Sequence, residues 1–168
     1  MAHAHQTDAP ETMRCQIVTV SDTRSKENDK SGQLMKEFAE AENVQIKDYQ
    51  IVKDEKREIR QALDQGVDHP DIDVILLNGG TGIAKRDVTI EVVEHILDKQ
   101  LPGFGEMFRM LSYQEDIGSA AILSRALAGV ANDTAIFATP GSSGAVKLAM
   151  EKLIMPEMKH IVSEIQKD

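Results

Sequence analysis

At 168 residues, with 41% apolar and 28% charged side chains, the chain has the length of one domain able to bury a substantial core. No apolar run is long enough to span a bilayer, no secretory signal opens the chain, and a single cysteine, Cys15, excludes an internal disulfide, so a soluble cytoplasmic protein is expected. A formal charge of −9 without a basic block argues against nucleic-acid and membrane partners, and any anionic ligand must then be held by local cations, backbone amides or a metal ion.

Residues 1–13 lack periodicity and read as a flexible tail, and His3 and His5 within it form too loose a pair for a specific metal site. From position 14 onward the chain reads as one domain in which strand and helix signals alternate. Cys15–Ser21 is a β-branched run, followed by a polar loop from Asp22 to Lys30. Ser31 is placed to cap a helix carrying Leu34, Met35, Phe38 and Ala39 on one face. Val44–Val52 reads as a second strand, and a helix through Ile59, Ala62 and Leu63 is expected to end at Gly66. Ile72–Leu77 is the third strand, and Ile90, Val93, Ile96 and Leu97 mark the next helix.

Pro102 opens a short helix through Leu111, and 117–131 reads as part helix, part strand. Asn132-Asp133 is a hairpin turn before the strand Thr134–Thr139. A last helical stretch carries Val146, Ala149, Met150, Leu153 and Ile154, is broken or restarted at Pro156, and continues through Met158, Ile161, Val162 and Ile165. This alternation predicts a three-layer α/β sandwich on a mostly parallel sheet. Ligands in such folds lie beyond the carboxyl ends of the strands. Three polar loops follow strands there, at Ser21-Asp22, Asn78–Asp87 and Pro140–Ser143, which makes one shared pocket the natural expectation.

The densest signal is Asn78-Gly-Gly-Thr-Gly-Ile-Ala-Lys-Arg-Asp-Val-Thr89. Glycines at 79, 80 and 82 leave the backbone bare enough for several N–H groups to converge on one anion. The spacing fits neither the dinucleotide fingerprint nor the GxxxxGK[ST] phosphate loop, and a tight strand-to-helix connection would also use glycines. Asp87 or Thr89 could cap the following helix, and Asp54 could cap its own. Lys85, Arg86, Arg109 and Arg125 can each be read as solvated charges. The histidines share no ligand spacing.

Taken together, Val18-Thr-Val-Ser-Asp-Thr-Arg24, Ile51-Val-Lys-Asp54, Gly79-Gly-Thr-Gly82, Arg86-Asp-Val-Thr89, Pro102-Gly-Phe-Gly-Glu-Met-Phe-Arg109, Ile122-Leu-Ser-Arg125 and Pro140-Gly-Ser142 resemble the molybdopterin adenylyltransferase family and its B-type relatives. The resemblance implies a molybdopterin-binding α/β domain over residues 14–168 that assembles as homotrimers or hexamers, with other molybdenum cofactor biosynthesis enzymes as possible partners. It implies Mg²⁺-dependent transfer of AMP from ATP to the phosphate of molybdopterin. Asp54 and Asp87 fall on the functional aspartates and are the expected Mg²⁺-organising, catalytic pair. Ser21, Asp22, Gly79, Gly80, Thr81, Gly82, Glu106, Arg109, Pro140, Gly141 and Ser142 are the expected substrate-binding set. Asn78 and Ser143 depart from the family, which usually has threonine and often proline there. Two rivals are a non-catalytic molybdopterin carrier or scaffold, and an unrelated phosphatase. The second would need a covalent nucleophile or a two-metal cluster, and no dense carboxylate-histidine group appears.

Overall fold

Alternation along three central strands sets the architecture. The computed structural model describes residues 11–167. Strand β1 (Arg14–Val20) pairs in parallel with β2 (Gln45–Val52) on one side and β3 (Val74–Asn78) on the other. Strand β6 (Thr134–Thr139) continues the parallel set beside β3. Strand β5 (Leu127–Ala131) folds back against β6, and the two-residue β4 (Lys99–Gln100) closes that edge, giving the order β2-β1-β3-β6-β5-β4.

Cys15, Ile17, Val74, Leu76, Ala135 and Phe137 point to one face of the sheet, where they meet helices α1 (Lys30–Ala41), α4 (Pro102–Glu115), α5 (Ser143–Ala149) and α6 (Met155–Ile165). Val18, Val20, Ile75, Leu77, Ile136 and Ala138 point to the other, covered by α2 (Lys56–Asp68) and α3 (Thr89–Ile96). Both faces being covered, the strands are apolar on alternate and intervening positions alike, as buried parallel strands are. The sandwich is the one the strand-helix alternation predicts. No helix among the described residues is long and apolar enough to cross a membrane.

Several local expectations change. Met13, assigned to the tail, is buried in the core and its carbonyl accepts the Gln45 N–H; His3 and His5 lie outside the described residues. Asp29, not Ser31, caps α1 by accepting the Gly32 N–H, and it is itself buried. Helix α2 runs two residues past Gly66, which sits inside it where the helix touches the sheet. Helix α4 extends to Glu115, beyond the expected end at Leu111. The ambiguous 117–131 stretch resolves into a 3₁₀ segment (Gly118–Leu123) and β5. Its hairpin with β6 turns on Asn132 and Asp133, both with positive φ, as a two-residue hairpin turn requires. The restart expected at Pro156 is present: α6 begins at Met155 with Pro156 in its first turn. One π turn (Met150–Ile154) precedes it and Met155 N–H bonds to Met150 O, so the missing proline N–H is absorbed.

The close approach at Gly66 is testable. A Cβ there would collide with the buried Gln16 side chain and lie 2.7 Å from Ile75 Cδ1. Gly66→Ala is therefore expected to destabilise the fold by about 1–3 kcal/mol despite alanine's better helix propensity. The readout is a lowered urea midpoint with an unchanged m-value.

Candidate functional site

The loops after β1, β2, β3 and β6 converge above the carboxyl ends of the parallel strands, at the switch between β1, which leads into α1 on one face of the sheet, and β3, which leads to α3 on the other. They enclose a cleft of about 470 Å³, walled on its far side by the end of α4 and the 3₁₀ segment. Of the residues expected to bind substrate or metal, Ser21, Asp22, Asp54, Gly79, Gly80, Thr81, Gly82, Asp87, Pro140, Gly141 and Ser142 all line it. Glu106 and Arg109 do not. Helix α4 turns Phe104, Phe108 and Ser112 inward at four-residue spacing, leaving Glu106 exposed while Arg109 donates to Ala126 O at 3.4 Å.

Beneath the cleft a buried polar row crosses the sheet in register, from Thr19 to Asn78 to Thr139. Asn78 donates from Nδ2 to Thr19 Oγ1 at 2.9 Å and accepts from Arg24 at 3.4 Å. Its amide thus serves the floor and is not offered to a ligand. Arg24 also donates to Gly141 O at 2.8 Å and faces buried Asp29, 3.7 Å away, which in turn accepts from Tyr49. Ser31 donates to the same Gly141 carbonyl at 2.6 Å. These contacts pin the loop after β6 to the loop after β1. Gly141 approaches Gly79 so closely that a Cβ on Gly141 would lie 3.1 Å from Gly79 Cα.

The glycine loop itself begins with positive φ at Gly79 and Gly80. Gly79 N–H bonds to Thr139 O, and Thr89 Oγ1 donates to Gly79 O, so Thr89 fastens the loop rather than capping α3. Among the described residues, the N–H groups of Gly80, Thr81, Gly82 and Ile83 have no hydrogen-bond partner, and neither does the Thr81 hydroxyl. Successive free donors on a glycine loop form an anion-binding concavity.

Carboxylates face these donors. Asp54 Oδ1 lies against Gly80, 3.1 Å from where a Cβ would stand. Asp22 accepts the Asp54 N–H at 3.0 Å, and one oxygen of Asp87 accepts the Ala84 N–H at 2.9 Å, so neither aspartate of the expected pair acts as a helix cap. Asp54 is raised above its ordinary pKa, first by partial burial, then by the charges of Asp22 and Asp87, with Arg86 opposing. Crowded carboxylates of this kind invite a cation. No group of three His, Cys, Asp or Glu side chains among the described residues is arranged to hold one alone. Two carboxylates with an oxygen-only donor set do fit Mg²⁺, which takes its remaining ligands from water and phosphate.

Reading the residues one at a time misses Arg24, Asp116, Ser124 and Arg125. Ser124 presents a buried hydroxyl without a partner at the cleft wall, and Asp116 stands beside Gly144 at the start of α5. Arg125 is no solvated charge: it binds the carbonyls of the glycine loop and the carboxylate of Glu91. Lys85 is exposed and outside the cleft, whereas exposed Arg86 lines it.

Residues 16–160 match the family described as the probable molybdopterin binding domain. The chain is 60% identical over 164 residues to molybdenum cofactor biosynthesis protein B of Bacillus subtilis, covering 98% of this chain and 96% of that one. The chain belongs to the molybdenum cofactor biosynthesis protein B family. A crystal structure of a molybdenum cofactor biosynthesis protein B superposes with a TM-score of 0.92 at 56% identity, covering 95% of this chain and 99% of that one. The tungsten cofactor synthesizing protein MoaB from Pyrococcus furiosus superposes at 0.86 with 39% identity, covering 95% of this chain and all (100%) of that one. The fold of this family member is therefore the family's own.

A carboxyl whose pKa is raised on folding favours the fold below its ordinary pKa, and that contribution is lost as pH rises through the raised value. Ionised Asp54 thus opposes folding at pH 7, and Asp54→Asn is expected to raise Tm at pH 7, with the gain shrinking as pH falls through the carboxylate range and wild-type Asp54 takes up its proton. Ser143 stands at the first position of α5, preceded by Ser142 at φ −72° and ψ 146°, a conformation compatible with a following proline. Ser143→Pro is expected to stabilise by about 0.4–1 kcal/mol, measured by chemical denaturation.

Proposed function

We propose that the cleft carries out a step of molybdenum cofactor biosynthesis, the Mg²⁺-dependent adenylylation of molybdopterin by ATP. The observation that carries this reading is the meeting of three unpartnered backbone N–H groups, Gly80 to Gly82, with Asp54 and Asp87 in one cleft, with the unpartnered N–H of Ile83 next in the loop. In the reaction a phosphate oxygen of molybdopterin attacks the α-phosphorus of ATP, a new P–O bond forms, and the bond to pyrophosphate breaks. The nucleophile is already an anion, so no strong general base is needed. What the chain must do is hold two polyanions in line and balance their charge.

The amides of the glycine loop and the Thr81 hydroxyl would take phosphate oxygens. Exposed Arg86, which forms no ion pair among the described residues, would add a cation at the cleft. Asp54 and Asp87 would hold Mg²⁺, whose charge, when bound, offsets that of the phosphates. Ser21 keeps the first loop in shape by accepting the N–H groups of Thr23 and Arg24, and Ser142 Oγ caps α5, so both act on the walls of the cleft. The wall of Phe108, Ile117, Ala120 and Leu123 offers an apolar surface suited to a flat heterocycle.

A homotrimer or hexamer belongs to the same reading. It is supported by the exposed apolar side chains Met107, Met110 and Tyr113 on α4 and Ile122 on the 3₁₀ segment.

The test is formation of AMP-molybdopterin and pyrophosphate by the purified protein given molybdopterin, ATP and Mg²⁺. Wild type is expected to turn over and Asp87→Asn to lose at least about a hundredfold in rate while remaining folded. Tight molybdopterin binding without product would replace the enzyme by a carrier or scaffold. Wild-type rates from folded Asp87→Asn would remove Asp87 from the mechanism.

A further inference from the structure

Arg125 lies behind the glycine loop, outside the lining of the cleft, between the 3₁₀ segment and β5. Its guanidinium donates from Nε to Thr81 O at 3.2 Å and from Nη2 to Gly82 O at 2.6 Å and Asp87 O at 3.1 Å. Nη1 and Nη2 also reach the two oxygens of Glu91 on α3. One half-buried cation therefore gathers three carbonyls from both ends of the loop and anchors them to a carboxylate on the next helix.

The consequence is geometric. In a trans peptide the C=O and N–H of one unit point in opposite directions. The described residues contain no cis peptide. With Thr81 O and Gly82 O drawn toward Arg125, the N–H groups of Gly82 and Ile83 must point away from it, and both are among the unpartnered donors. The cation also neutralises the carbonyl dipoles that would otherwise place negative potential behind the loop.

We infer that Arg125 is a positioning residue for phosphate binding: by holding the carbonyls of Thr81, Gly82 and Asp87 behind the loop, it presents the loop amides to the anion without touching it. The inference rests on the phosphate-binding reading of the glycine loop. Glu91 shares the task by fixing the guanidinium, and contact with Arg125 keeps its carboxyl below the ordinary pKa and hence charged at neutral pH. A lysine at 125 would keep the charge but lose the planar fork that reaches several carbonyls at once.

The experiment compares wild type, Arg125→Gln, Arg125→Lys and Glu91→Gln by three measurements. These are Tm, the ¹⁵N order parameters of Gly80–Ile83 without ligand, and calorimetric affinity for pyrophosphate with Mg²⁺. In folded Arg125→Gln the four amides are expected to fall from about 0.85 toward 0.6 in order parameter. Pyrophosphate affinity is expected to drop about tenfold or more, with Arg125→Lys recovering part of it and Glu91→Gln losing less. A residue that merely glued the fold would lower Tm while leaving the affinity of the folded protein intact, and that result overturns the inference. Rigid loop amides in folded Arg125→Gln also overturn it. Should Arg125→Gln fail to fold, the same criteria apply to Arg125→Lys and Glu91→Gln. A wild-type protein that binds no pyrophosphate overturns the phosphate reading itself. Wild-type binding matched by Arg125→Gln overturns only the role of Arg125.

Discussion

On the proposed reading, a chain of net charge −9 must hold polyphosphate where local positive potential outweighs its own field, and this constraint would organise the cleft. Few cations are available there. The solution is backbone: donors left unpaired on a glycine loop, whose partial charges cannot be screened away by side-chain motion. Unpaired N–H groups are costly to bury without a partner; Thr81 is buried, while Gly80 and Gly82 beside it are partly exposed and open to water. The rest of the structure keeps that loop in shape.

Shape is imposed from below and from behind. Below, the buried row of Thr19, Asn78 and Thr139 closes the ends of the parallel strands with hydrogen bonds instead of apolar packing. Arg24 joins that row to Gly141 and so ties two loops together. Behind, Arg125 fastens the outer side of the glycine loop to α3. Both guanidiniums are used on carbonyls. Exposed Arg86 lines the cleft, while the charges of Asp22 and Asp87 act on Asp54 nearby, an arrangement that on the proposed reading would suit a divalent cation bound with the phosphates.

Much of this was legible in the sequence. The β-branched runs announced β1, β3 and β6, and the Asn-Asp pair announced the β5–β6 hairpin, because each signal is local. The three loops at strand ends were also readable, since parallel strands place their carboxyl ends together whatever the helices do. What escaped was anything decided by tertiary contact. Arg125 looks like a solvated charge in sequence, and only the fold brings three carbonyls to it. Asp29 outcompetes Ser31 as a cap because its carboxylate is also held by Tyr49 and faced by Arg24. Gly66 reads as a helix end, yet it is a contact point of α2 with the sheet. Glu106 and Arg109 came from resemblance alone, and the phase of α4 turns both away from the cleft.

On the proposed reading the glycine-loop amides receive phosphate. The most direct measurement is a crystal structure of the protein with Mg²⁺ and a non-hydrolysable ATP analogue. Phosphate oxygens are expected about 2.7–3.2 Å from the N–H groups of Gly80 to Ile83, with the metal against Asp54 and Asp87. A triphosphate seated in the groove between α2 and α3 lined by Lys56, Arg57, Arg60 and Glu91, with no phosphate at the glycine loop, would contradict it.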